Sequence, residues 1–255
     1  QIVNTGNLTI TNNGTNKSII GSDTVSDLIS NSGTLHTNNV KFKSISKAIT
    51  NMGILDINNT EISGTTYGIY DNSVNDSTIS NSKITSSDTA VYNYSLGRVI
   101  YENTQVTGKI TVQNANGYLE FNECNLSGLI TNLGVMKIYG GNATYNSTET
   151  NSSIQFMKNS GTLTVEGVSI TYSNNYNYNT QARAIYNNGT LNTKDNTFNI
   201  RYASDYKYRY FTGIYNEGLL DSTGDTINID YANYAYSIYN NSSSDSIIRN
   251  LTTNI

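Results

Sequence analysis

Three aspartates, Asp221, Asp225 and Asp230, lie within ten residues of one another and are candidates for acid–base chemistry on a sugar chain. Enzymes that cleave glycosidic bonds use two carboxyl groups, one to protonate the leaving group and one to activate water or attack. One repeat earlier in the sequence, the equivalent positions hold the neutral amides Asn192 and Asn196. We therefore expect no tight group of carboxylates here and no catalysis.

The only cysteine, Cys124, is the next candidate, because a cysteine thiolate is a strong nucleophile. No histidine accompanies it in the sequence, and it aligns with Val40 and Val168 of other repeats. We predict that Cys124 is a small buried core residue and not a nucleophile.

The only histidine, His36, precedes Asp56 by one repeat, and Glu120 and Lys137 occupy the same column on two adjacent repeats. A histidine held by an aspartate is a possible general base. The simpler prediction is that both pairs are exposed contacts between turns, each worth well under about 1 kcal/mol.

Composition excludes several other classes of function. The net charge is −4 and the basic residues do not cluster, so the sequence lacks the positive patch that nucleic-acid binding needs. Apolar runs are only a few residues long, which excludes a membrane-spanning helix in this segment. No phosphate loop, zinc spacing or calcium-repeat signature occurs, so we expect no metal and no cofactor.

One short sequence motif recurs throughout the chain, and the structure that it forms must position any functional site. It reads IYNNGTLNT from Ile185 and IYNEGLLDS from Ile214, and about eleven copies recur, first roughly 20 residues apart and later nearly 30. Apolar residues alternate with polar ones inside each copy, which predicts strands, and the Asn, Gly and Ser between them predict turns. Three short strands in each copy predict the rung of a parallel β-helix.

These repeats resemble right-handed parallel β-helices of the pectate-lyase-like superfamily, and especially the Asn-rich repeats of bacterial surface adhesins and autotransporter passengers. The resemblance covers nearly the whole chain. It implies an all-β, right-handed parallel β-helix solenoid of about eleven rungs with three short strands each. We expect residues 1–255 to form a single solenoid that is a fragment of a longer surface protein. Lyases, hydrolases, tailspikes and adhesins share this fold, so the fold does not determine the activity.

Each column of the phrase has a predicted structural role. The Ile and Leu columns should point inward, where a buried aliphatic side chain contributes about 1.5–3 kcal/mol. The Asn column should form a hydrogen-bonded ladder at a corner, and the glycine two residues later fits a bend that a Cβ would obstruct. The predicted ladder contains Asn31, Asn51, Asn132, Asn159, Asn187 and Asn216.

Tyrosine exceeds what the fold requires, with 21 copies that concentrate in the second half of the chain. The residue between Ile and Asn in the phrase should point outward. This predicts two external aromatic ladders. One contains Tyr70 and Tyr92, and the other contains Tyr186, Tyr215 and Tyr239.

Three tyrosine-rich inserts, 171–183, 201–211 and 230–237, precede the strands of the second ladder. Each insert enters the same strand of its repeat, so all three should emerge along one edge, beside the ladder. Long inserts on one side of a solenoid commonly form its binding face. The inserts add the candidate ligand-binding residues Tyr176, Tyr178, Tyr206, Tyr208 and Tyr210.

Together these features favour a non-catalytic, extracellular module of a bacterial cell surface that binds a host or environmental glycan or a surface protein. A tyrosine offers a flat apolar face and a hydroxyl, which suits sugar rings and protein interfaces. Two alternatives stay open: a polysaccharide lyase or glycoside hydrolase on the same fold, and a purely structural spacer. Open solenoid ends expose strand edges, so we also expect end-to-end self-association of the isolated segment.

Overall fold

The computed structural model shows an all-β chain in which parallel strands stack as a β-solenoid of about ten turns. The structure describes residues 1–147, 153–174, 181–202, 210–230, 232 and 234–255. These described residues contain 31 strands and no helix. The chain forms two compact units, Gln1–Ser127 and Gly128–Ile255. The predicted fold class is thereby confirmed as a parallel β-solenoid.

In unit 1, successive turns stack strands of three kinds. First strands are β1 (Ile2–Asn4), β4 (Asp27–Asn31), β7 (Lys47–Asn51) and β10 (Tyr67–Asp71). Second strands are β2 (Asn7–Thr11), β5 (Thr34–Asn38), β8 (Ile54–Asn58), β11 (Ser77–Ser80), β13 (Arg98–Glu102) and β15 (Tyr118–Asn122). Third strands are β3 (Ser18–Gly21), β6 (Val40–Lys43), β9 (Glu61–Gly64) and β16 (Asn125–Ser127). The longer β12 (Lys83–Asn93) and β14 (Gln105–Val112) each run from a third strand into the next first strand.

Unit 2 repeats this order. First strands are β17 (Ile130–Asn132), β20 (Ser153–Asn159), β23 (Gln181–Asn187), β26 (Tyr210–Asn216) and β29 (Tyr234–Asn240). Second strands are β18 (Val135–Tyr139), β21 (Thr162–Glu166), β24 (Thr190–Lys194), β27 (Leu219–Thr223) and β30 (Ile247–Arg249). Third strands are β19 (Asn142–Ser147), β22 (Ser169–Asn174), β25 (Thr197–Tyr202), β28 (Thr226–Asp230) and β31 (Thr252–Asn254).

The core of each unit consists of the inward columns that the alternating pattern predicts. Ile29, Ile49 and Ile69 pair in register from turn to turn in unit 1, and all three are fully buried. Ile185 and Ile214 do the same in unit 2. Because the pairing is parallel and in register, equal residues stack on equal residues, and a short repeat suffices to build a continuous core.

The asparagine column of unit 1 forms a ladder of side-chain hydrogen bonds at the first corner. The Nδ2 atom of Asn4 donates to Oδ1 of Asn31 at 2.7 Å, and that of Asn31 donates to Oδ1 of Asn51 at 2.8 Å. The Asn51 amide donates in turn to Oδ1 of Asp71 at 3.0 Å. Each hydrogen bond of the ladder pairs a buried side-chain amide, whose burial without a partner would cost folding free energy.

The ladder of unit 2 is unbroken over five asparagines. The side-chain amides of Asn132, Asn159, Asn187 and Asn216 each donate to the Oδ1 atom of the next member, ending at Asn240, over 2.6 to 2.8 Å. The Asn159 amide also donates to the main-chain carbonyls of Gly161 and Thr190. One side chain therefore closes the turn within its own repeat and ties it to the next.

The glycine of the phrase is required because successive turns approach closely at this corner. A Cβ placed on Gly189 would lie 2.1 Å from the carbonyl oxygen of Gly161, and one on Gly218 would lie 2.0 Å from that of Gly189. Both carbonyls accept hydrogen bonds from the turn above, from Thr190 N at 2.8 Å and Leu219 N at 2.9 Å. The backbone therefore cannot easily move aside, and only glycine fits.

A second corner lies after the second strand, and the repeat phrase did not reveal it. One residue per turn there adopts a left-handed φ, which asparagine and glycine tolerate best. In unit 1 these residues are Asn39, Asn59, Asn81, Asn103 and Glu123, with φ between 44° and 56°. The left-handed conformation of asparagine thus serves this corner and not the ladder.

Asp71 interrupts the ladder of unit 1. Its Oδ1 atom accepts hydrogen bonds from Asn51 Nδ2 and Ser73 N, both at 3.0 Å. Its Oδ2 atom is buried and has no hydrogen-bond partner among the described residues. Burial raises the pKa of this carboxyl from 3.8 to about 6, against the lowering effect of the bonds from Asn51 and Ser73.

Candidate functional site

Asp225 is a structural residue. Its side chain is fully buried and accepts hydrogen bonds from Thr193 Oγ1 at 2.5 Å and Ser222 Oγ at 2.7 Å. It also accepts from the main-chain and side-chain nitrogens of Asn196, both at 2.9 Å. The carboxylate oxygens thus accept hydrogen bonds that stabilise a corner, as side-chain amides do at other corners.

Asp221 has a different environment from Asp225. It pairs in register with Asn192, as the sequence alignment predicts, and its Oδ1 atom lies 3.3 Å from Nη1 of Arg249 in a surface ion pair. Asp230 ends β28 and pairs in register with Arg201. No group of three or more His, Cys, Asp or Glu side chains able to hold a metal ion occurs among the described residues.

His36 lies opposite Asp56 on the adjacent turn, with His36 Nδ1 and Asp56 Oδ2 separated by 2.8 Å. Both side chains are exposed, which agrees with the predicted surface contact between turns.

The prediction that Glu120 is an exposed contact is wrong. The residue is only 7% exposed, because Arg98 of the neighbouring turn covers it and donates from Nη2 to Oε2 at 2.8 Å. Tyr118 and Asn122 donate to the same carboxylate at 2.5 and 3.1 Å. Burial alone would raise the pKa of Glu120, but these three donors lower it to about 2. A charged side chain at an outward position can thus be covered when its neighbours are long and aromatic.

Cys124 is buried, as its alignment with valines predicts. Its Sγ atom accepts a hydrogen bond from Thr104 N at 3.4 Å and lies 3.4 Å from the Tyr101 carbonyl oxygen. Burial raises the pKa of the thiol to about 11, so the side chain is protonated at neutral pH and is a poor nucleophile.

The first tyrosine ladder lies on unit 1. The rings of Tyr70 and Tyr92 stack with centroids 5.0 Å apart and planes within 4° of parallel. Tyr67 packs edge-on against both rings, at 5.4 and 5.6 Å. The Nζ atom of Lys47 lies 5.3 Å from the Tyr70 ring centroid. Sequence reasoning missed Tyr67, which precedes the phrase on the same strand.

The second ladder lies on unit 2 and spans three turns. The Tyr186 and Tyr215 rings are 5.9 Å apart and those of Tyr215 and Tyr239 are 5.0 Å apart, with interplanar angles of 26° and 18°. The Tyr186 hydroxyl donates to a carboxylate oxygen of Glu217. These rings pair in register on β23, β26 and β29, as the outward position in the phrase predicts.

A parallel second stack forms where two of the inserts re-enter the sheet. Tyr210 and Tyr234 begin β26 and β29, pair in register and stack at 4.6 Å with planes 9° apart. Tyr236 packs edge-on against Tyr239 at 5.5 Å. Tyr234 and Tyr236 were not among the named candidates, although alternation along β29 from Tyr234 to Tyr236 would have placed both outward.

A groove of about 240 Å³ opens between the two stacks. Thr212 lies at its floor, 7% exposed, and pairs in register with Arg183 on one side and Tyr236 on the other. The lining residues are Gln181, Arg183, Tyr210, Thr212, Tyr215, Tyr236 and Tyr239. The groove exists because Thr212 is smaller than the residues that surround it on this face: Arg183 and Tyr236 on the adjacent turns, and Tyr210 two residues earlier on the same strand.

Arg183 forms one wall of the groove. Its guanidinium carbon lies 3.7 Å from the centroid of the Tyr215 ring and 5.4 Å from that of Tyr186. Nη2 donates to Oε1 of Gln181 at 3.0 Å. The cation is therefore held against aromatic faces, where the ring quadrupole attracts it.

Four of the candidate tyrosines lie outside the part of the chain that the structure describes. Tyr176, Tyr178, Tyr206 and Tyr208 lie outside the described residues, as do the central parts of the inserts 171–183 and 201–211 and two residues of 230–237. Tyr210 is the one named insert tyrosine within the described residues, and it lines the groove.

Comparison of the chain with protein-family models, curated proteins and solved structures finds no match. Among the described residues, no helix has the length and apolar character needed to cross a membrane. The geometry of the groove is therefore the basis for assigning a function.

Proposed function

We propose that this chain is a non-catalytic, cell-surface β-solenoid module that binds a glycan through the tyrosine-walled groove of unit 2. The observation that supports this proposal is the arrangement around Thr212, where Tyr210, Tyr215 and Tyr236 rise around a small floor residue. A role as a bacterial adhesin of the pectate-lyase-like type belongs to the same proposal, and it rests on the Asn-rich repeat.

A sugar ring suits this groove for physical reasons. Its C–H faces pack on flat aromatic rings, and its hydroxyls need nearby donors and acceptors. Tyr210 is 37% exposed and Tyr236 is 46% exposed, so both rings present area to a ligand. Thr212, Gln181 and the tyrosine hydroxyls supply polar atoms that could orient the sugar.

The groove is also held in place without a ligand. Its rings stack in register on three hydrogen-bonded strands, so little side-chain freedom remains to be lost on binding. A surface made only to cover the sheet would gain nothing from a gap at Thr212.

A glycan-array screen of the purified protein tests the proposal. The variant to compare is Tyr210→Ala/Tyr236→Ala, which removes two walls of the groove. The matched control is Tyr70→Ala/Tyr92→Ala, which removes the same number of outward tyrosines from unit 1. Both variants are checked for folding by thermal unfolding before use.

We expect glycan binding by the wild type and the unit 1 variant, and its loss in the groove variant. Binding that survives removal of the groove walls would show that the glycan site lies elsewhere. Failure of the folded wild type to bind any glycan would contradict the proposal and favour a spacer or a protein ligand.

A further inference from the structure

The charge of the groove is as informative as its shape. Among the described residues that line the groove, Arg183 is the only charged one. Among the described residues, no carboxylate forms an ion pair with it. Several other surface cations among the described residues do form an ion pair with an acidic side chain, as Lys194 does with Glu166. A guanidinium that no carboxylate of the described residues neutralises, and that lies beside an aromatic groove, is available to an anionic ligand.

The position of Arg183 also limits how it moves. Contact with the Tyr215 ring at 3.7 Å and the hydrogen bond to Gln181 hold the guanidinium plane. Arginine has five N–H donors in a fixed fork, and one of them is used by Gln181. The remaining donors match the planar oxygens of a carboxylate, which guanidinium groups bind with two parallel hydrogen bonds.

We propose that the groove recognises a carboxylated sugar, with the sugar ring on the tyrosines and its carboxylate on Arg183. This inference rests on the proposed glycan binding and specifies its ligand class. A uronic acid or a sialic acid has both features that the groove can bind: a ring with an apolar face, for the tyrosines, and a planar anion, for Arg183. A neutral sugar would offer the guanidinium no negative charge.

Among the described residues, Lys158 and Glu217 are charged and lie near this face but outside the groove. Lys158 pairs in register with Tyr186 one turn away, on the outward face of the same sheet. Glu217 accepts a hydrogen bond from the Tyr186 hydroxyl. Neither side chain lines the groove, so Lys158 provides a matched control for a general effect of positive charge.

The test measures binding of paired carboxylated and neutral sugars to the whole chain by calorimetry. The probes are oligomers of galacturonate and of glucuronate and a sialylated lactose, each beside its methyl ester, which keeps the ring and removes the charge. The proteins are the wild type, Arg183→Gln and Lys158→Gln. Arg183→Gln keeps a polar side chain with N–H donors and removes the charge, and its fold is checked by thermal unfolding.

We expect at least one carboxylated probe to bind the wild type about tenfold or more tightly than its ester, as a charged hydrogen bond predicts. Arg183→Gln should remove that preference and Lys158→Gln should keep it. Equal binding of every acid and ester, or a preference that survives Arg183→Gln, would overturn the inference while leaving glycan binding intact. Absence of binding by every probe would overturn the inference, while binding of other sugars on the glycan array would leave the proposed function intact.

Discussion

Asp71 is the one position at which a carboxyl group replaces an amide within the asparagine ladder of unit 1, and it makes a quantitative prediction about stability. An amide at this position would offer an N–H donor where Asp71 has a bare Oδ2 atom. The next turn presents Asn93 in register with Asp71. We expect Asp71→Asn to restore a donor at this place and so to stabilise the protein at neutral pH.

The expected magnitude follows from the pKa. Burial raises the pKa of Asp71 from 3.8 to about 6 in the folded state. Each pKa unit corresponds to about 1.4 kcal/mol, so the ionised carboxylate costs the folded state about 3 kcal/mol above pH 6. Because the folded state holds this proton more tightly than the unfolded state, the cost is absent below about pH 4 and develops as the pH rises through 6.

The assay is urea unfolding of the wild type and Asp71→Asn at a series of pH values. The difference between the two proteins isolates Asp71 from other titrating groups. We expect the variant to be more stable by up to about 3 kcal/mol near pH 7.5, with the difference shrinking towards pH 4. The reciprocal control, Asn159→Asp in the unbroken ladder of unit 2, should destabilise the protein, and more so at pH 7.5 than at pH 4. A variant no more stable than the wild type at pH 7.5, or a difference independent of pH, would refute the reasoning.

Three further predictions concern the corners and the groove. Gly189→Ala should destabilise the protein by at least about 2 kcal/mol because its Cβ meets the backbone of the preceding turn, whereas Gly6→Ala, at a position with open space, should be tolerated in thermal unfolding. Cys124 should resist a thiol reagent at pH 8 until the protein unfolds, since its thiol is buried and its pKa is raised to about 11; rapid labelling of the native protein would contradict this. Thr212→Tyr should fill the groove and abolish glycan binding at an unchanged unfolding temperature, because Tyr236 already occupies the same column one turn later; unchanged binding would place the ligand elsewhere.

The fold could be predicted because the same pattern of apolar, polar and turn residues recurs in every repeat. Alternation identifies Ile185 and Ile214 as inward and Tyr186 and Tyr215 as outward, and in-register stacking turns those one-dimensional columns into core and ladder. The Asn-x-Gly motif likewise predicts the first corner. The second corner was missed because a single left-handed residue per turn, such as Asn39 or Asn59, leaves no phrase around it.

The groove could be predicted only in part. The ladder tyrosines follow from the phrase, but Arg183, Thr212 and Tyr236 form a column that depends on how the chain re-enters the sheet after inserts of different length. Glu120 shows the same limit, since its burial depends on the long side chains of Arg98 and Tyr118 and not on its own position in the strand. Side-chain size around an outward position decides whether it is exposed, covered or the floor of a groove.

The central claim is that a glycan occupies the groove above Thr212. The most direct test is the change in backbone amide chemical shifts when a glycan identified by the array is titrated into isotope-labelled protein. We predict saturable shifts that concentrate on β23, β26 and β29 around Thr212 and Arg183, with little change on β7, β10 and β12 around Tyr70. Shifts centred on Tyr70, or spread along the chain without a focus, would contradict the claim.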